Sequence, residues 1–168
     1  MMSYDGSIDA DHSTYLIDVD AGVLQPPGGE RWEFDDGLIA VRPHQMCVTT
    51  GIDDGEVKLH IELHDTQPPV TLDNWDEVAE ASLTCQASLT LGELFTDPRP
   101  GLPQLAAHGP GSYRIRVSAR GRDTAHEFPE EHSILCWPTP QAPPMSLKLT
   151  DQSGARYRHR LAQRRPSI

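Results

Sequence analysis

Residues 56–64 of the chain read EVKLHIELH, and this stretch decides the fold class. Val57, Leu59, Ile61 and Leu63 occupy every second position, and polar or charged residues lie between them. Successive side chains of a β-strand point to opposite sides of the sheet, so this alternation predicts a strand with one buried face.

Two further stretches alternate in the same way, SLTCQASLTL at 82–91 and YRIRVSAR at 113–120. Weaker apolar runs predict short strands at residues 14–19, 38–41, 46–49, 134–137 and 145–149. Residues 155–161 fit either a last strand or a short helix, and residues 75–81 and 102–107 have locally helical patterns. Asp54-Gly55, between MCVTTG and EVKLHIELH, predicts a β-hairpin.

Turns rich in glycine and proline separate these runs at intervals of about 8–15 residues. The pattern predicts an all-β fold, a two-sheet antiparallel β-sandwich or flattened barrel of about seven to nine strands with little helix. The 168 residues fit a single domain over 1–168. Residues 1–12 and 162–168 are expected to be loose.

The composition disfavours several classes of protein. A formal net charge of −11 argues against a general nucleic-acid or anionic-membrane binder, because phosphates attract a positive surface. The apolar runs are far shorter than the ~20 residues of a membrane helix, and the acidic N-terminus does not resemble a signal peptide. Widely spaced Cys47, Cys85 and Cys136 predict buried, reduced thiols in a cytoplasmic protein.

The charge is divided unevenly along the chain. Residues 1–80 contain 18 acidic and three basic residues, whereas residues 81–168 contain seven acidic and 11 basic residues. One interpretation is that the halves fold against each other and neutralise their charges across neighbouring strands. The other is that an acidic face is presented to a basic partner.

No common catalytic motif is present in the sequence, so we predict no catalytic residue, no cofactor and no metal site. His126 and His132 flank glutamates as in a metalloprotease helix, but they are six residues apart and Pro129 interrupts the helix. The segment from Asp18 to Asp20 resembles the start of a calcium loop, but position 29, where the closing Glu belongs, is Gly.

His60, Glu62 and His64 share the outward face of the 56–64 strand and are the best candidate metal ligands. Alternate residues of a strand lie ~6.6 Å apart, so an adjacent pair could share an ion with a third ligand such as His44 or His108. The favoured interpretation is a solvated polar face.

An outward basic stripe is predicted on the 113–120 strand and just beyond it, at Arg114, Arg116, Arg120 and Arg122. The favoured interpretation is that these arginines pair with outward acids such as Glu62 on a neighbouring strand. The alternative is that they contact phosphate groups.

Two acidic segments carry tryptophan and are the candidate partner-binding sites. Residues 30–36 lie in a predicted loop, and residues 73–77 repeat their composition and could lie nearby. Aromatic anchors ringed by charge are typical of protein–protein hot spots. The alternative is that Trp32 and Phe34 close the end of the sandwich while the acids face water. The predicted partner-binding residues are Glu30, Trp32, Glu33, Phe34, Asp35, Asp36, Asp73, Trp75, Asp76 and Glu77.

The order of several short phrases resembles that of a known group of proteins. Trp32 precedes GLIAV, the turn at 50–55 reads TGIDDG, Trp75 begins WDE, and GSYRIRV at 111–117 precedes EEHSILCWP at 130–138. In this order the chain resembles a group of uncharacterised bacterial β-sandwich proteins and, distantly, the competence protein J type of nuclease inhibitor. The resemblance covers about residues 14–140 and implies a small acidic protein that occupies the active site of a nuclease.

The sequence therefore predicts a non-enzymatic cytoplasmic binding protein, an immunity or inhibitor protein that neutralises a basic bacterial toxin or nuclease through an acidic surface. The expected partner is a basic protein, without direct nucleic-acid or membrane binding. Two alternatives stay open. One is a metal-dependent β-sandwich enzyme or small-ligand binder that uses the outward His and Glu residues, and the other is a structural subunit whose sheet edge pairs with another chain.

Overall fold

A computed structural model describes residues 1–21, 31–93 and 101–164 of the chain. Almost all of its regular structure is β-strand, in agreement with the predicted all-β class. The elements are β1 (Met2–Ala10), β2 (Thr14–Val19), β3 (Phe34–Asp35), β4 (Ile39–Arg42), β5 (Gln45–Thr49), β6 (Gly55–Leu63), β7 (Glu77–Cys85), β8 (Leu89–Gly92), β9 (Gly111–Arg120), a 3-10 turn (Arg122–Thr124), β10 (Glu131–Pro138), β11 (Met145–Leu149) and α1 (Gln152–Arg164).

The strands form two sheets, which confirms the predicted two-sheet architecture. One sheet has six strands in the order β1-β6-β10-β9-β7-β11, and the other has five in the order β3-β4-β5-β2-β8. Over the described ranges both sheets keep two edge strands, so the fold is a sandwich rather than a barrel. The strand pairs are antiparallel except β6 and β10, which run parallel.

The core lies between the two sheets and is built from the alternating residues. The four apolar residues of β6 that decided the fold class are at most 6% exposed. Tyr113, Ile115, Val117 and Ala119 of β9 are buried beside them. Residues of β2, β4, β5 and β8 cover this layer from the opposite sheet, and each buried aliphatic side chain contributes about 1.5–3 kcal/mol.

The prediction that residues 1–12 are loose is wrong for most of that segment. β1 pairs with β6 in register from Met2↔Leu63 to Ala10↔Gly55. Ile8 is fully buried in the core. The acidic residues of this segment point outward while Ile8 and Ala10 point inward, so its polar composition concealed an edge strand.

The predicted helix at 75–81 is also wrong, because β7 occupies 77–85 and is held between β9 and β11. Pairing on both edges overrides the helical preference of its alanines and glutamates. The single strand predicted at 82–91 is two strands, β7 and β8, which lie in different sheets. Asp20 accepts the N–H groups of Gln86, Ala87 and Ser88 and holds the turn between them.

The predicted hairpin at Asp54-Gly55 is wrong as well, since β5 and β6 lie in different sheets. The connection crosses from one sheet to the other beneath Arg122. A Cβ atom at Gly51 would collide with the Arg122 carbonyl group and lie 2.7 Å from its Cα, so only glycine fits this crossing.

Residues 155–161 were predicted to form either a last strand or a short helix, and they form a helix. Helix α1 also includes residues 162–164, which were expected to be loose. Residues 165–168 lie outside the described ranges. No helix forms at 102–107, where Leu105 and Ala106 enter the core. None of the described helices has the length and apolar character needed to cross a membrane.

Candidate functional site

Five acidic side chains meet at one end of the sandwich, where β1 ends and β6 begins. We call Asp9, Asp11, Asp53, Asp54 and Glu56 the acidic corner. Asp9 lies directly opposite Glu56 in the β1–β6 pairing, and all five residues are exposed or half-buried. Like charges opposed across a strand pair lower stability, so the fold tolerates repulsion at this place.

The turn between β1 and β2 fixes the geometry of the acidic corner. The Ser13 N–H and hydroxyl donate to the backbone oxygen and the carboxylate of Asp53, at 2.7 and 2.6 Å. The His12 N–H donates to Asp54 Oδ1 at 3.2 Å. The ligand atoms of Asp11, His12 and Asp54 lie within 4.8 Å of one another, so these three residues could hold a metal ion.

A cleft with Trp32 on its wall lies on one side of the acidic corner. The cleft has a volume of about 320 Å³, runs along the outer face of the five-stranded sheet beside α1, and is also lined by Asp53. Trp32 is 39% exposed, and the Arg42 guanidinium lies 4.4 Å from the centre of its ring. An exposed aromatic ring is therefore fixed next to the acidic corner.

A groove with Trp75 on its wall lies on the other side of the acidic corner. It has a volume of about 680 Å³, follows the outer face of the six-stranded sheet and includes Glu56. Arg120 covers the Trp75 ring at 4.9 Å and also pairs with Glu131. The two tryptophans predicted as anchors therefore lie on opposite faces of the sandwich, with the acidic corner between them.

Two of the predicted partner-binding acids are buried. Asp36 is 6% exposed and accepts the N–H groups of Leu38 and Ile39 and the Ser146 hydroxyl. Glu77 is completely buried. Both carboxyl groups serve the interior, and neither is accessible to a partner protein.

The other predicted residues differ in their exposure. Glu33 and Asp73 are exposed, whereas Phe34, Asp35 and Asp76 are half-buried. Asp35 accepts the Tyr157 hydroxyl at 2.9 Å, and Asp76 accepts the Gly121 N–H at 3.0 Å. Glu30 lies outside the described residues. Their role in partner binding stays a prediction.

A buried ionic cluster lies behind the acidic corner and joins β7 to α1. Arg122 makes a two-pronged ion pair with Asp151 at 2.7 and 2.8 Å, and its remaining N–H groups donate to backbone oxygens of Gly37 and Thr49. Glu77 lies 3.7 Å from Arg122 and 3.5 Å from Arg158. Burial, with Asp151 nearby, raises the pKa of Glu77 to about 8.

The predicted outward basic stripe is largely internal. Arg114 and Arg116 are 5% and 2% exposed and both pair with Glu80 on the adjacent β7. Arg116 also donates to the backbone oxygen of Pro69. Pairing with acids of a neighbouring strand is therefore confirmed, but the partner is Glu80 rather than Glu62.

Glu62 instead accepts hydrogen bonds from both flanking histidines. The Glu62 carboxylate lies 2.9 Å from His60 Nε2 and 2.6 Å from His64 Nε2. These bonds hold the pKa of Glu62 below its ordinary value, and the bond to Glu62 raises the pKa of His60. His108 Nε2 lies 2.9 Å from Asp65 Oδ1, so His108 does not supply a third metal ligand beside the histidines that flank Glu62.

One buried polar chain was not predicted from the sequence. Tyr15 Oη lies 2.8 Å from His132 Nδ1, and His132 Nε2 lies 2.7 Å from Glu130. Glu130 also accepts the N–H groups of Gly51 and Ile52. The three side chains are almost completely buried, so this chain fastens the sheets together and is closed to substrates.

The cysteines offer no reactive nucleophile among the described residues. All three are free thiols; Cys85 and Cys136 are buried, and Cys47 is half-buried on the floor of the Trp32 cleft. Burial raises the pKa of Cys47 to about 11 and that of Cys136 to about 12. Thiols with these pKa values stay protonated at neutral pH.

Comparison with known proteins gives similarity at the level of the fold. No family model and no curated protein matches the chain. The chain is similar to the crystal structure of ComJ, an inhibitor of the DNA-degrading activity of NucA from Bacillus subtilis, with 8% identity and a TM-score of 0.56. The match covers 82% of this chain and 98% of ComJ.

A second solved structure, crocagin biosynthetic gene J, is 17% identical to this chain with a TM-score of 0.49. The match covers 83% of this chain and 100% of that structure. The 8% identity to ComJ, at a TM-score of 0.56, shows a shared fold and no more. The distant resemblance to the competence protein J type of nuclease inhibitor that the sequence indicated is confirmed at that level.

Proposed function

We propose that the chain is a non-enzymatic inhibitor or immunity protein that binds a nuclease, or another basic bacterial toxin, through its acidic corner. The observation that carries the proposal is this exposed group of five carboxylates on a ComJ-like fold. ComJ is itself an inhibitor of a nuclease, and the match covers almost all of it.

The chemistry of the acidic corner suits such a partner. A nuclease has a positively charged substrate cleft because it must attract phosphate, and exposed carboxylates carry the same sign of charge as phosphate groups. Clustered negative charge also accelerates the encounter with a basic protein. Reduced, free cysteines agree with a role in the cytoplasm.

The two tryptophans supply the apolar part of the proposed interface. Trp32 shares a cleft with Asp53, and Trp75 shares a groove with Glu56, so an aromatic ring flanks the acidic corner on each face. Large aromatic rings next to charged groups are frequent energetic centres of interfaces. Glu33 and Asp73 extend the proposed surface beyond the two rings.

The proposal is tested with nuclease fractions from the native host. The chain is immobilised at low salt, bound nuclease is eluted, and cleavage of fluorescent DNA and RNA is measured while purified chain is added. We expect wild-type chain to suppress cleavage at near-stoichiometric concentration. Asp54→Asn combined with Glu56→Gln should raise the inhibitory concentration about tenfold or more, because two carboxylates at the interface are lost.

The matched control is Asp65→Asn combined with Glu127→Gln, which removes two exposed charges that are not members of the acidic corner. This control should inhibit like the wild type. Association should also slow as NaCl is raised, since salt screens exposed charges. Failure of the wild-type chain to inhibit any bound nuclease, or equal loss in both double variants, would contradict the proposal.

A further inference from the structure

Helix α1 is a cationic element in an acidic protein. It contains Arg156, Arg158, Arg160 and Arg164 and no acidic residue, while the whole chain has a net charge of −11. Arg158 turns inward, where it donates to the Asp36 backbone oxygen at 3.0 Å and faces Glu77. Arg156 and Arg160, one helical turn apart, instead line the Trp32 cleft.

These two arginines have no carboxylate within ion-pair distance among residues 1–21, 31–93 and 101–164. Both are exposed, and the only ring that Arg160 covers in this part of the chain is Tyr157, at 5.9 Å. Arg114, Arg116, Arg120 and Arg122, by contrast, each have an acidic partner. Two guanidinium groups on one wall of a cleft are suited to binding an anion.

Other residues that line the cleft suit a flat, uncharged group. Trp32 is fixed by Arg42, and the Tyr157 ring is fixed by the bond from its hydroxyl to Asp35. Ala40 and the protonated thiol of Cys47 form an uncharged floor. Arg122 also borders the cleft, but Asp151 neutralises its charge.

We propose that this cleft binds a small phosphate ester that carries a planar ring, such as a nucleoside monophosphate. Arg156 and Arg160 contact the phosphate, and the ring stacks against Trp32. The volume of about 320 Å³ lies at the lower end of the range for small-ligand sites, which favours a mononucleotide over a dinucleotide.

The negative charge of Asp53 in the cleft allows a test of whether removing it strengthens or weakens phosphate binding. Asp53 lies on the cleft wall, where its carboxylate repels a phosphate while accepting the Ser13 hydroxyl. Asparagine at this position keeps the acceptor oxygen and removes the charge. Asp53→Asn should therefore strengthen binding of a nucleoside monophosphate, whereas it should weaken inhibition by the acidic corner.

The experiment is isothermal titration calorimetry of the complete chain with AMP at low salt. We expect a dissociation constant on the order of 10–100 μM for the wild type. Arg156→Gln and Arg160→Gln should each weaken binding about fivefold or more, and Trp32→Ala should do the same. Asp53→Asn should tighten it about two- to threefold. Adenosine and inorganic phosphate should each bind at least about tenfold more weakly than AMP.

The matched control is Arg164→Gln, which removes the same charge from the same helix outside the cleft lining. It should change AMP affinity less than about twofold, because salt screens distant charges. Circular dichroism of each variant shows that the fold is retained. The proposal is overturned by undetectable binding of AMP to the wild type at about 1 mM, by equal loss in Arg164→Gln, or by weaker binding in Asp53→Asn.

Discussion

Glu77 is the residue whose protonation is most closely coupled to the stability of this fold. It is buried, it faces Arg122 and Arg158, and its Oε2 atom has no hydrogen-bond partner among the described residues. Burial raises its pKa to about 8. Burial also opposes ionisation of Asp151, but the hydrogen bond from Arg122 prevails and lowers the Asp151 pKa to about 2. At neutral pH the pair therefore holds one negative charge, on Asp151.

The raised pKa of Glu77 predicts that the chain loses stability in mild alkali. An ordinary glutamate loses its proton near pH 4.5, so above that pH the unfolded chain has released a proton that the folded chain keeps. Raising the pH from 6 to 9 therefore favours the unfolded chain, by about 2–3 kcal/mol. Glu77→Gln cannot ionise and should show a flatter profile in urea unfolding at these pH values.

The matched control for this substitution is Glu127→Gln, an exposed position that should follow the wild-type profile. Parallel curves for wild type and Glu77→Gln would show that Glu77 is already ionised at pH 6.

Helix α1 shows how a single element is fitted to the buried ionic cluster. Gly154 is the third residue of α1, and it follows Gln152 and Ser153, whose N–H groups donate to Asp123. A Cβ atom at Gly154 would collide with Glu77 Oε1 and would lie 2.7 Å from Arg122 Nη2 and 2.8 Å from Arg158 Nη1. The helix approaches the cluster closely because this position has no side chain.

Gly154→Ala should therefore destabilise the protein, although alanine is the better helix former. Helix propensity alone predicts a gain of about 1 kcal/mol. We expect a loss of about 2 kcal/mol instead, since the three polar side chains packed around this position must move apart. Denaturant unfolding measures the difference, with Gln163→Ala on the exposed part of α1 as the control; a stabilised Gly154→Ala would disprove the close packing.

Strands with one buried and one exposed face could be predicted from the sequence. A strand with buried charged residues, such as β7, could not. β6 and β9 alternate strictly because one face meets the core. β7 hides its pattern because Glu77 lies on the inward face and Glu80 pairs with Arg114 and Arg116 on the other. Its residues resemble a helix until the neighbouring strands are known.

The candidate site likewise contains some residues that the sequence indicated and others that it did not. Trp32 and Trp75 were candidates because each is an aromatic residue in an acidic segment, and their role in binding stays a prediction. The acidic corner could not be predicted, because Asp9 meets Glu56 only when β1 pairs with β6, and β1 has a polar composition that suggested a loose end. Asp36 and Glu77 appeared to belong to acidic surface segments, but their burial depends on α1 and β11, which are distant in sequence.

At the scale of the whole molecule, ion pairs between the two halves account for part of the uneven charge, and presentation of an acidic face to a basic partner stays a prediction. Glu80 of the acidic half is neutralised by Arg114 and Arg116 of the basic half, inside the protein. The acidic corner belongs wholly to the first half, and within it Asp9 lies opposite Glu56 in the pairing of β1 with β6.

This distribution predicts opposite effects on stability and on inhibition. Glu56→Lys replaces a like-charge pair with Asp9 by an opposite-charge pair, so it should raise the free energy of unfolding by about 0.5–1 kcal/mol at low salt. The gain should shrink at about 0.5 M NaCl. The same variant should inhibit the bound nuclease less well. Urea unfolding at two salt concentrations measures the first effect, and Glu127→Lys, which should gain nothing, is the control.

The parallel pairing of β6 with β10 in the six-stranded sheet has a consequence for folding during synthesis. One edge of β6 is filled by β1, which precedes it in the chain, but the other edge is filled by β10, which follows β7, β8 and β9. Until β10 is synthesised, β6 exposes a bare edge with a regular row of apolar side chains, the kind of strand that joins other chains. The nascent protein is therefore most prone to aggregate while residues 64–130 are being synthesised, and a fragment that ends before Glu131 keeps that weakness permanently.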